Sequence, residues 1–357
     1  MTLATVIELG PEFGRPQLKG IQGHIHLNFA TEGGITSGYA QTNLFTYLYE
    51  CFEEDGIDPS MVTLVWGNSN SEELYIKWCE HTNTEPKLTV VSNEMWCSIT
   101  YNMQTDYSQH YERNYTADKP LDKLFTFFCR AHRNFRVDMV NALAEYDMLD
   151  DIEWSWHHGF TDSALHPKLE HLVPKKLDGD TSSSATANPG QEFFDCMDTT
   201  YFDLVPETFY YNDEAQLTPQ DTLHAFLAEH EGWWNTIFIT EKTWRCMFNK
   251  RPFIIAGNKG TLAHLHSQGF KTFPHIFDES YDTLEDQYRL KHILSQINNI
   301  DKNVLHDKIF SEETKEILEH NKEVARQLAG NHSRRLHLFS SGAVSYTHLT
   351  LPTKRIV

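Results

Sequence analysis

The sequence predicts an α/β protein built from two domains with parallel sheets. Its 357 residues exceed what one hydrophobic core usually organises, so two domains of ordinary size are expected. Along the chain, short apolar runs alternate with segments whose apolar residues recur at helical spacing. Strands that alternate with helices generally pair in parallel, and the helices cover both faces of the sheet.

The first hundred residues contain one set of alternating elements. Residues 23–29 alternate large apolar and polar side chains, and residues 61–66 form an apolar run closed by a Gly-Asn pair. The predicted strands are Gly23–Phe29, Met61–Trp66 and Lys87–Val91, and the predicted helices are Ser37–Glu53 and Glu72–Glu80. This pattern predicts an amino-terminal α/β domain.

A second set of elements begins at Lys123. The predicted strands are Lys123–Cys129, Ile152–Trp156, Tyr201–Val205 and Phe253–Ala256. The predicted helices are Asn134–Asp150, a helix that begins at Glu241, Thr261–Gln268, Leu284–Ile297 and Glu312–Leu328. Asn134 is the predicted N-cap of its helix, and the polar stretch from Pro174 to Gly190 is predicted as a surface loop.

The domain boundary is predicted in the polar stretch from Tyr115 to Leu121, which contains Pro120. Residues 1–118 would form the amino-terminal α/β domain, and residues 119–335 a carboxyl-terminal Rossmann-like domain. Residues 343–357 are set apart, because codons that encode Val344–Thr353 are similar to a transposon adapter used to build sequencing libraries. We expect this tail to be an artefact, with the genuine chain ending near Gly342.

Composition limits the partners and the compartment. The net charge of −20, from 30 basic and 50 acidic residues, would repel a phosphate backbone, so nucleic acid is not an expected partner. No apolar run approaches the roughly 18–20 residues that span a bilayer, and the first residues lack the features of a signal peptide. We therefore expect no transmembrane segment and a cytoplasmic location. The six cysteines lack C-x-x-C spacing, which favours buried thiols over disulfides or a zinc site.

An anion-binding site is predicted where Thr240, Glu241 and Lys242 precede an apolar run that ends at Gly257. The Thr240 hydroxyl can cap a helix whose free N–H groups, together with the Lys242 charge, suit a phosphate. Glu241 can accept hydrogen bonds from a ribose hydroxyl. The alternative is an ordinary capped helix with a solvated lysine. The glycine-bearing turn favours the binding site, because ligands of open α/β sheets bind beyond the carboxyl ends of strands.

Three arginines form a second candidate binding segment. Arg130, Arg133 and Arg136 lie between a predicted strand and the start of a predicted helix in an otherwise acidic chain. Guanidinium groups bind phosphate through two parallel hydrogen bonds, so a diphosphate is the expected ligand of these arginines. They could also be ordinary surface cations. Arg136 is the preferred member of the three.

These residues resemble a known family. The segment Phe238–Trp244, followed by Pro252–Gly257, resembles the Thr/Ser-Glu-Lys signature of the α-1,3-fucosyltransferase family (glycosyltransferase family 10), particularly its divergent phage and environmental relatives. The segment with Glu207 resembles the strand that precedes this signature, and the arginine segment resembles the family's donor-binding segment.

The resemblance implies a GT-B fold, in which two Rossmann-like domains with parallel sheets face each other across a cleft. The carboxyl-terminal domain would hold a nucleotide sugar, and GDP-fucose is the preferred candidate. The sugar would be transferred with inversion to a glycan acceptor, without a cofactor or an obligatory metal. In a phage-encoded protein the cytoplasm would be that of the host. The implied donor-binding residues are Arg130, Arg133, Arg136, Glu207, Thr240, Glu241, Lys242 and Gly257.

The general base and the catalytic activity are left open by the sequence. An inverting transfer needs a base near neutral pKa. The candidates are Glu32 and the histidines His24 and His26, which lie on one face of the first predicted strand. A structural histidine in the core is the competing interpretation. The rival function is a non-catalytic, virion-associated α/β protein that binds a glycan or a nucleotide, with tryptophans such as Trp244 stacking on sugars. A carboxylate or histidine of the amino-terminal domain opposite Lys242 would favour the enzyme.

Overall fold

The computed structural model contains two four-stranded sheets, one in each half of the chain, and every strand pair in both is parallel. It describes residues 5–9, 15–29, 43–107, 121–129, 134–156, 165–175, 191–208, 210 and 237–340. The predicted α/β class with two parallel, Rossmann-like sheets is therefore confirmed. We refer to each sheet with its helices as the amino-terminal and the carboxyl-terminal unit.

The amino-terminal unit has its strands in the order β1-β2-β3-β4. They are β1 (Thr5–Glu8), β2 (Ile25–Phe29), β3 (Val62–Trp66) and β4 (Thr89–Ser92), and the helices are α1 (Leu44–Asp55), α2 (Ser71–Thr82) and α3 (Met95–Tyr107). All five residues of β3 are buried, as expected of a central strand whose two faces are covered. The Asn43 side chain caps α1 by accepting from the Phe45 N–H at 2.9 Å.

The carboxyl-terminal unit has its strands in the order β6-β5-β7-β8. They are β5 (Lys123–Cys129), β6 (Glu153–Trp156), β7 (Thr200–Pro206) and β8 (Phe253–Ala256). The helices are α4 (Asn134–Glu145), α5 (Gln191–Thr199), α6 (Glu241–Phe248), α7 (Thr261–Ser267), α8 (Asp286–Asn298), α9 (Lys302–Ile309) and α10 (Glu312–Ser340). Every residue of β7 and β8 is buried.

The strand order creates a topological switch point between β5 and β7. The chain leaves β5 to form β6 on one side and returns to form β7 on the other side. At such a point the connections from the two central strands run in opposite directions and leave a crevice beyond the carboxyl ends. The carboxyl ends of β5 and β7, at Cys129 and Pro206, therefore border the expected ligand position.

A buried ion pair fixes the start of β7. The guanidinium of Arg251, which is fully buried, donates to the carbonyls of Met197 (2.6 Å) and Thr200 (2.9 Å) and to Asp203 Oδ1 (2.9 Å). The Cys246 thiol of α6 donates to the other carboxylate oxygen of Asp203 at 3.3 Å. Because each charged group has several partners, the desolvation of the pair is compensated and α5, α6 and β7 are tied together.

Helix α3 follows the last strand of the amino-terminal unit but packs on the carboxyl-terminal core. It lies against α6 and α10. Its Cys97 thiol donates to the Ala325 carbonyl at 3.5 Å, and the Ser98 hydroxyl donates to the Ala329 carbonyl at 3.1 Å. The predicted boundary between residues 118 and 119 lies outside the described residues.

Several element predictions need correction. The predicted helix from Asn134 to Asp150 ends at Glu145, because Asp147 adopts a left-handed conformation (φ 56°) and the Met148 N–H bonds back to the Leu143 carbonyl. Strand β1 and helices α3, α5 and α9 were not predicted. All six cysteines are free and buried, which confirms the prediction for them. Within the described ranges, no helix has both the length and the apolar character to cross a membrane.

Candidate functional site

Glu207 directly follows β7 and organises the candidate site. Its carboxylate, in a residue only 1% exposed, accepts four hydrogen bonds. Oε1 accepts from the Thr240 N–H (3.0 Å) and the Thr243 hydroxyl (2.6 Å). Oε2 accepts from the Thr208 N–H (3.0 Å) and the Thr240 hydroxyl (2.7 Å). The carboxylate thereby holds the start of α6 against the end of β7, at a helix end where negative charge is stabilised.

Thr240 does not act as the predicted side-chain cap of α6. Its hydroxyl makes no capping hydrogen bond, because it donates to Glu207 and accepts from Lys242 Nζ at 2.8 Å. The prediction was wrong in this detail, since the sequence could not show that a buried carboxylate competes for the hydroxyl. As a result, Thr240 links the carboxylate of Glu207 to the ammonium of Lys242.

The Lys242 ammonium lies between two hydroxyls and two carboxylates. Nζ is 2.8 Å from Thr240 Oγ1 and 3.4 Å from Thr208 Oγ1. It is 3.4 Å from Glu241 Oε1 and 3.8 Å from Glu207 Oε2. The side chain is 15% exposed, so the cation is largely desolvated but reaches the surface. We call Glu207, Thr208, Thr240, Glu241 and Lys242 the Lys242 corner.

Glu241 is the partly accessible carboxylate of this corner. Its burial would raise the pKa of the carboxyl group, but the charges of Lys242 and Arg245 outweigh the burial and the pKa is lowered. The group is therefore ionised at neutral pH, with its side chain 26% exposed. An ionised carboxylate at this position can accept hydrogen bonds from ligand hydroxyls.

Gly257 lies directly against Glu207. A Cβ atom at this position would be 3.2 Å from Thr261 Oγ1, 3.3 Å from Ile255 Cγ2 and 3.5 Å from Glu207 Cβ. The glycine therefore allows the end of β8 to pack closely beside the end of β7. Sequence reasoning placed Gly257 at a strand end, and the structure brings it together with the Lys242 corner.

Arg136 is buried and directed at the backbone of the same corner. Its Nη2 donates to the carbonyls of Pro206 (2.9 Å) and Glu207 (2.6 Å). This guanidinium therefore joins the first turn of α4 to the end of β7. The other two arginines, Arg130 and Arg133, lie outside the described residues and fall in sequence between the end of β5 and the start of α4.

Of the sequence-predicted bases, His24 and His26 lie among the described residues but not at this corner. His26 is the second residue of β2 and is buried beside His24, whose ring centroid lies 4.9 Å away. Burial, and then the charge of His24, lower the pKa of His26. It thus lies near the amino end of its strand, away from the edge where ligands of parallel sheets bind. Glu32 lies outside the described residues.

Sequence reasoning missed a polar contact between the two units. The Ser69 N–H, in the turn after β3, donates to the Ile237 carbonyl at 2.8 Å. Glu94, two residues after β4, accepts a hydrogen bond from the Ser69 hydroxyl and lies 3.3 Å from His264 Nε2 on α7. The only sequence signal was polar residues directly after predicted strands. These contacts bring the carboxyl edges of the two sheets together.

Two further observations concern the surroundings of the corner. A cavity of about 30 Å³ beneath Lys242, also lined by Thr126, Asp203 and Arg245, has room for one or two water molecules, so a nucleotide could only lie outside it. Among the residues that the structure describes, no group of three or more His, Cys, Asp or Glu side chains is placed to hold a metal ion.

Comparison with known proteins gives one similar structure. No protein-family model matches the chain, and no curated protein matches it. Among solved structures, a mutant of T4 phage BGT in complex with UDP-glucose is similar, at 12% sequence identity and a TM-score of 0.36. The match covers 90% of this chain and 74% of that one.

Proposed function

We propose that the protein is a GT-B glycosyltransferase that binds a nucleoside-diphosphate sugar at the Lys242 corner. The observation that carries this proposal is the position of the corner, at the carboxyl end of β7 beside the switch point between β5 and β7. Ligands of open α/β sheets bind at this position. The corner offers a cation, the amino end of α6 and an ionised carboxylate in one place.

Each part of the corner suits one part of such a donor. Lys242 and the positive end of the α6 dipole suit the diphosphate. Glu241 suits a ribose hydroxyl. Thr208 and Thr240 hold the ammonium of Lys242 at the strand end, so that little reorganisation is needed when a phosphate replaces them as its partner.

The proposed transfer is a single displacement with inversion. The acceptor hydroxyl loses its proton to a base, and its oxygen forms a bond to the anomeric carbon as the bond from that carbon to the diphosphate oxygen breaks. The electron pair leaves with the diphosphate, where Lys242 neutralises the developing charge. We assign Arg130 and Arg133 to the same diphosphate and give Arg136 a positioning role, because its guanidinium is bonded to backbone carbonyls. In line with the sequence resemblance, GDP-fucose is the preferred candidate among the donors, a glycan is the acceptor, and no metal takes part.

The first test is nucleotide binding by Lys242→Ala. Removal of the ammonium should weaken the binding of GDP or UDP, whichever the unaltered protein prefers, by about 30-fold or more, because a charge-assisted hydrogen bond contributes about 2 kcal/mol. Calorimetric titration of both proteins with both nucleotides measures this difference.

Lys250→Ala is the matched control. Lys250 lies just beyond the other end of α6, pairs with Glu319, and has the same side-chain exposure as Lys242. Its removal should leave nucleotide affinity within about two-fold, because it lies at the end of α6 opposite the Lys242 corner and the helix dipole acts only over its terminal turns. The proposal fails when the unaltered protein binds no nucleoside diphosphate, or when the two lysine variants bind equally well.

A donor screen separates the enzyme from a binding protein. Release of nucleoside diphosphate from GDP-fucose and from other GDP- and UDP-sugars would be measured with water and with glycans as acceptors. Turnover of one donor supports the transferase and identifies both the nucleotide and the sugar. Binding of nucleoside diphosphate without turnover of any donor would instead support the non-catalytic alternative.

A further inference from the structure

Glu94 has a carboxylate oxygen whose hydrogen-bonding capacity the described chain leaves unused. The residue is 8% exposed, so it is more than nine-tenths buried. One oxygen, Oε1, accepts from the Ser69 hydroxyl and lies 3.3 Å from His264 Nε2. The other, Oε2, is buried and has no hydrogen-bond partner among the described residues. A buried carboxylate oxygen without a donor is costly, so its presence points to a donor group that a ligand brings.

Three contacts connect Glu94 to the segments that form the Lys242 corner. Ser69, its hydrogen-bond partner, also bonds the Ile237 carbonyl, three residues before Thr240. Helix α3, which begins at the next residue, packs on α6, the helix that begins at Glu241. His264 lies on α7, which follows the turn at Gly257. Glu94 therefore provides a carboxylate of the amino-terminal unit at the junction of the two carboxyl edges.

We propose that Glu94 is the catalytic base of the transfer and that His264 positions it from the opposite unit. This inference rests on the proposed function. Acceptor binding uncovers Oε2, which takes the proton of the acceptor hydroxyl, and the hydroxyl oxygen attacks the anomeric carbon. The bond from that carbon to the diphosphate breaks, and its electron pair leaves with the diphosphate at Lys242. The carboxyl group then holds the proton, which water removes after product release.

The geometry explains why the two oxygens of Glu94 have different roles. Ser69 and His264 both engage Oε1, which fixes the rotation of the carboxylate and leaves Oε2 as the basic oxygen. One of these two partners comes from each unit of the protein. The base is therefore held in its working orientation only when the carboxyl edges of both sheets are in contact. Such support from surrounding groups is what a positioned proton acceptor requires.

The decisive variant is Glu94→Gln, which keeps the shape of the side chain and removes its basicity. Hydrolysis of the donor found in the screen should fall at least 100-fold in kcat, as expected for the loss of a general base. The affinity for nucleoside diphosphate should stay within about three-fold, which also shows that the variant is folded. Glu285→Gln, at an exposed carboxylate that pairs with Lys259, is the control and should hydrolyse the donor normally.

Azide distinguishes a base from a structural carboxylate. Because azide is a nucleophile that carries no proton, it needs no base to attack the anomeric carbon. In Glu94→Gln, sodium azide should raise the release of nucleoside diphosphate at least ten-fold and yield a glycosyl azide. In the unaltered protein it should change the rate little.

His264 has a separate test as a positioning residue. His264→Ala should lower kcat about ten-fold with little change in KM, because the carboxylate loses one of the two groups that orient it. His264→Gln, which can place an amide near the position of Nε2, should recover most of the loss. A purely structural contact would show no such recovery in kcat at equal thermal stability.

Several results would overturn the assignment. The assignment is wrong when Glu94→Gln hydrolyses the donor normally, or when this variant loses nucleotide affinity together with turnover. It is also wrong when azide does not raise the release of nucleoside diphosphate by this variant. A protein that binds nucleoside diphosphate yet hydrolyses no donor would also overturn it, while the nucleotide site would stand. A protein that binds no nucleotide would instead refute the proposed function itself.

Discussion

At the residue scale, the Glu207 carboxylate has its hydrogen-bonding capacity used within the protein. A carboxylate offers about four lone-pair positions, and all four of its hydrogen bonds are made within the protein. A ribose hydroxyl could bind Glu207 only by displacing one of these donors. We therefore propose that Glu207 supports donor binding through Thr240 and Lys242, while Glu241 makes the direct contact.

This role predicts a loss of stability for Glu207→Gln. The amide nitrogen would face N–H and hydroxyl donors in a buried site, so the free energy of unfolding should fall by about 2–3 kcal/mol. Urea denaturation of the variant and the unaltered protein measures the difference. Glu319→Gln, which alters a surface partner of Lys250, should change it by less than about 1 kcal/mol. Unchanged stability of Glu207→Gln would show that Glu207 does not organise the corner.

At the element scale, the strand β2 carries a buried histidine that makes stability depend on pH. Burial lowers the pKa of His24, and burial together with His24 lowers that of His26, from an ordinary value of 6.5. As pH falls below about 6.5, the unfolded chain binds protons that the folded chain does not. These histidines therefore favour the folded state above that pH, and this contribution is lost as pH falls toward their folded pKa values.

His26→Gln should weaken this pH dependence. Between pH 7.5 and pH 5.5 the unaltered protein should lose more unfolding free energy than the variant does, because the variant has one fewer group that the unfolded state protonates. Urea denaturation at the two pH values provides the comparison. An equal or larger loss in the variant would mean that His26 is protonated as easily in the folded chain as in the unfolded one.

The elements differed in how readily the sequence revealed them, for physical reasons. Strands β3, β5 and β8 are buried on both faces, so their apolar runs are visible without any partner. Helix α3 contacts α10 through small residues such as Cys97 and Ser98, which give no clear apolar stripe. Helices α5 and α9 are nine and eight residues long, too short for a strong periodic signal.

The residues of the candidate site also differ in how readily the sequence revealed them. Thr240, Glu241 and Lys242 are adjacent in sequence, so their chemistry could be predicted from a local motif. Glu94 and His264 are 170 residues apart and meet only because the two sheets face each other at their carboxyl edges. The hydrogen bonds of the Glu207 carboxylate also depend on a distant segment, since Thr240 is 33 residues away. Contacts of this kind follow from tertiary structure and leave no pattern in a single sequence.

At the scale of the whole molecule, the contact of α3 with α10 should make the two units unfold together. Ala329 is fully buried on α10 and its carbonyl accepts from Ser98. Ala329→Leu would overpack this contact and should reduce the free energy of unfolding by about 1–3 kcal/mol. Urea denaturation followed by tryptophan fluorescence and by far-ultraviolet circular dichroism should give one coincident transition for the unaltered protein.

The neighbouring glycine provides the control. Gly330 is exposed on the same helix, and a Cβ added there would meet nothing within 4 Å. Gly330→Ala should therefore leave the contact intact and raise stability by about 0.5–1 kcal/mol. Two separate transitions in the unaltered protein, or equal effects of the two substitutions, would show that α10 does not couple the units.

The same contact has a consequence for how the protein is made. The hydrogen bonds from Cys97 to the Ala325 carbonyl and from Ser98 to the Ala329 carbonyl join residues that are 228 and 231 positions apart in the chain. At a synthesis rate of about 5–20 residues per second, roughly ten to forty-five seconds pass between the synthesis of residues 97 and 98 and that of their partners on α10. Helix α6 also lacks one of its packing neighbours until α3 is in place. A nascent chain can thus complete the first sheet early, whereas the contacts of α3 with α10, next to Glu94, form only after residue 329 has been synthesised.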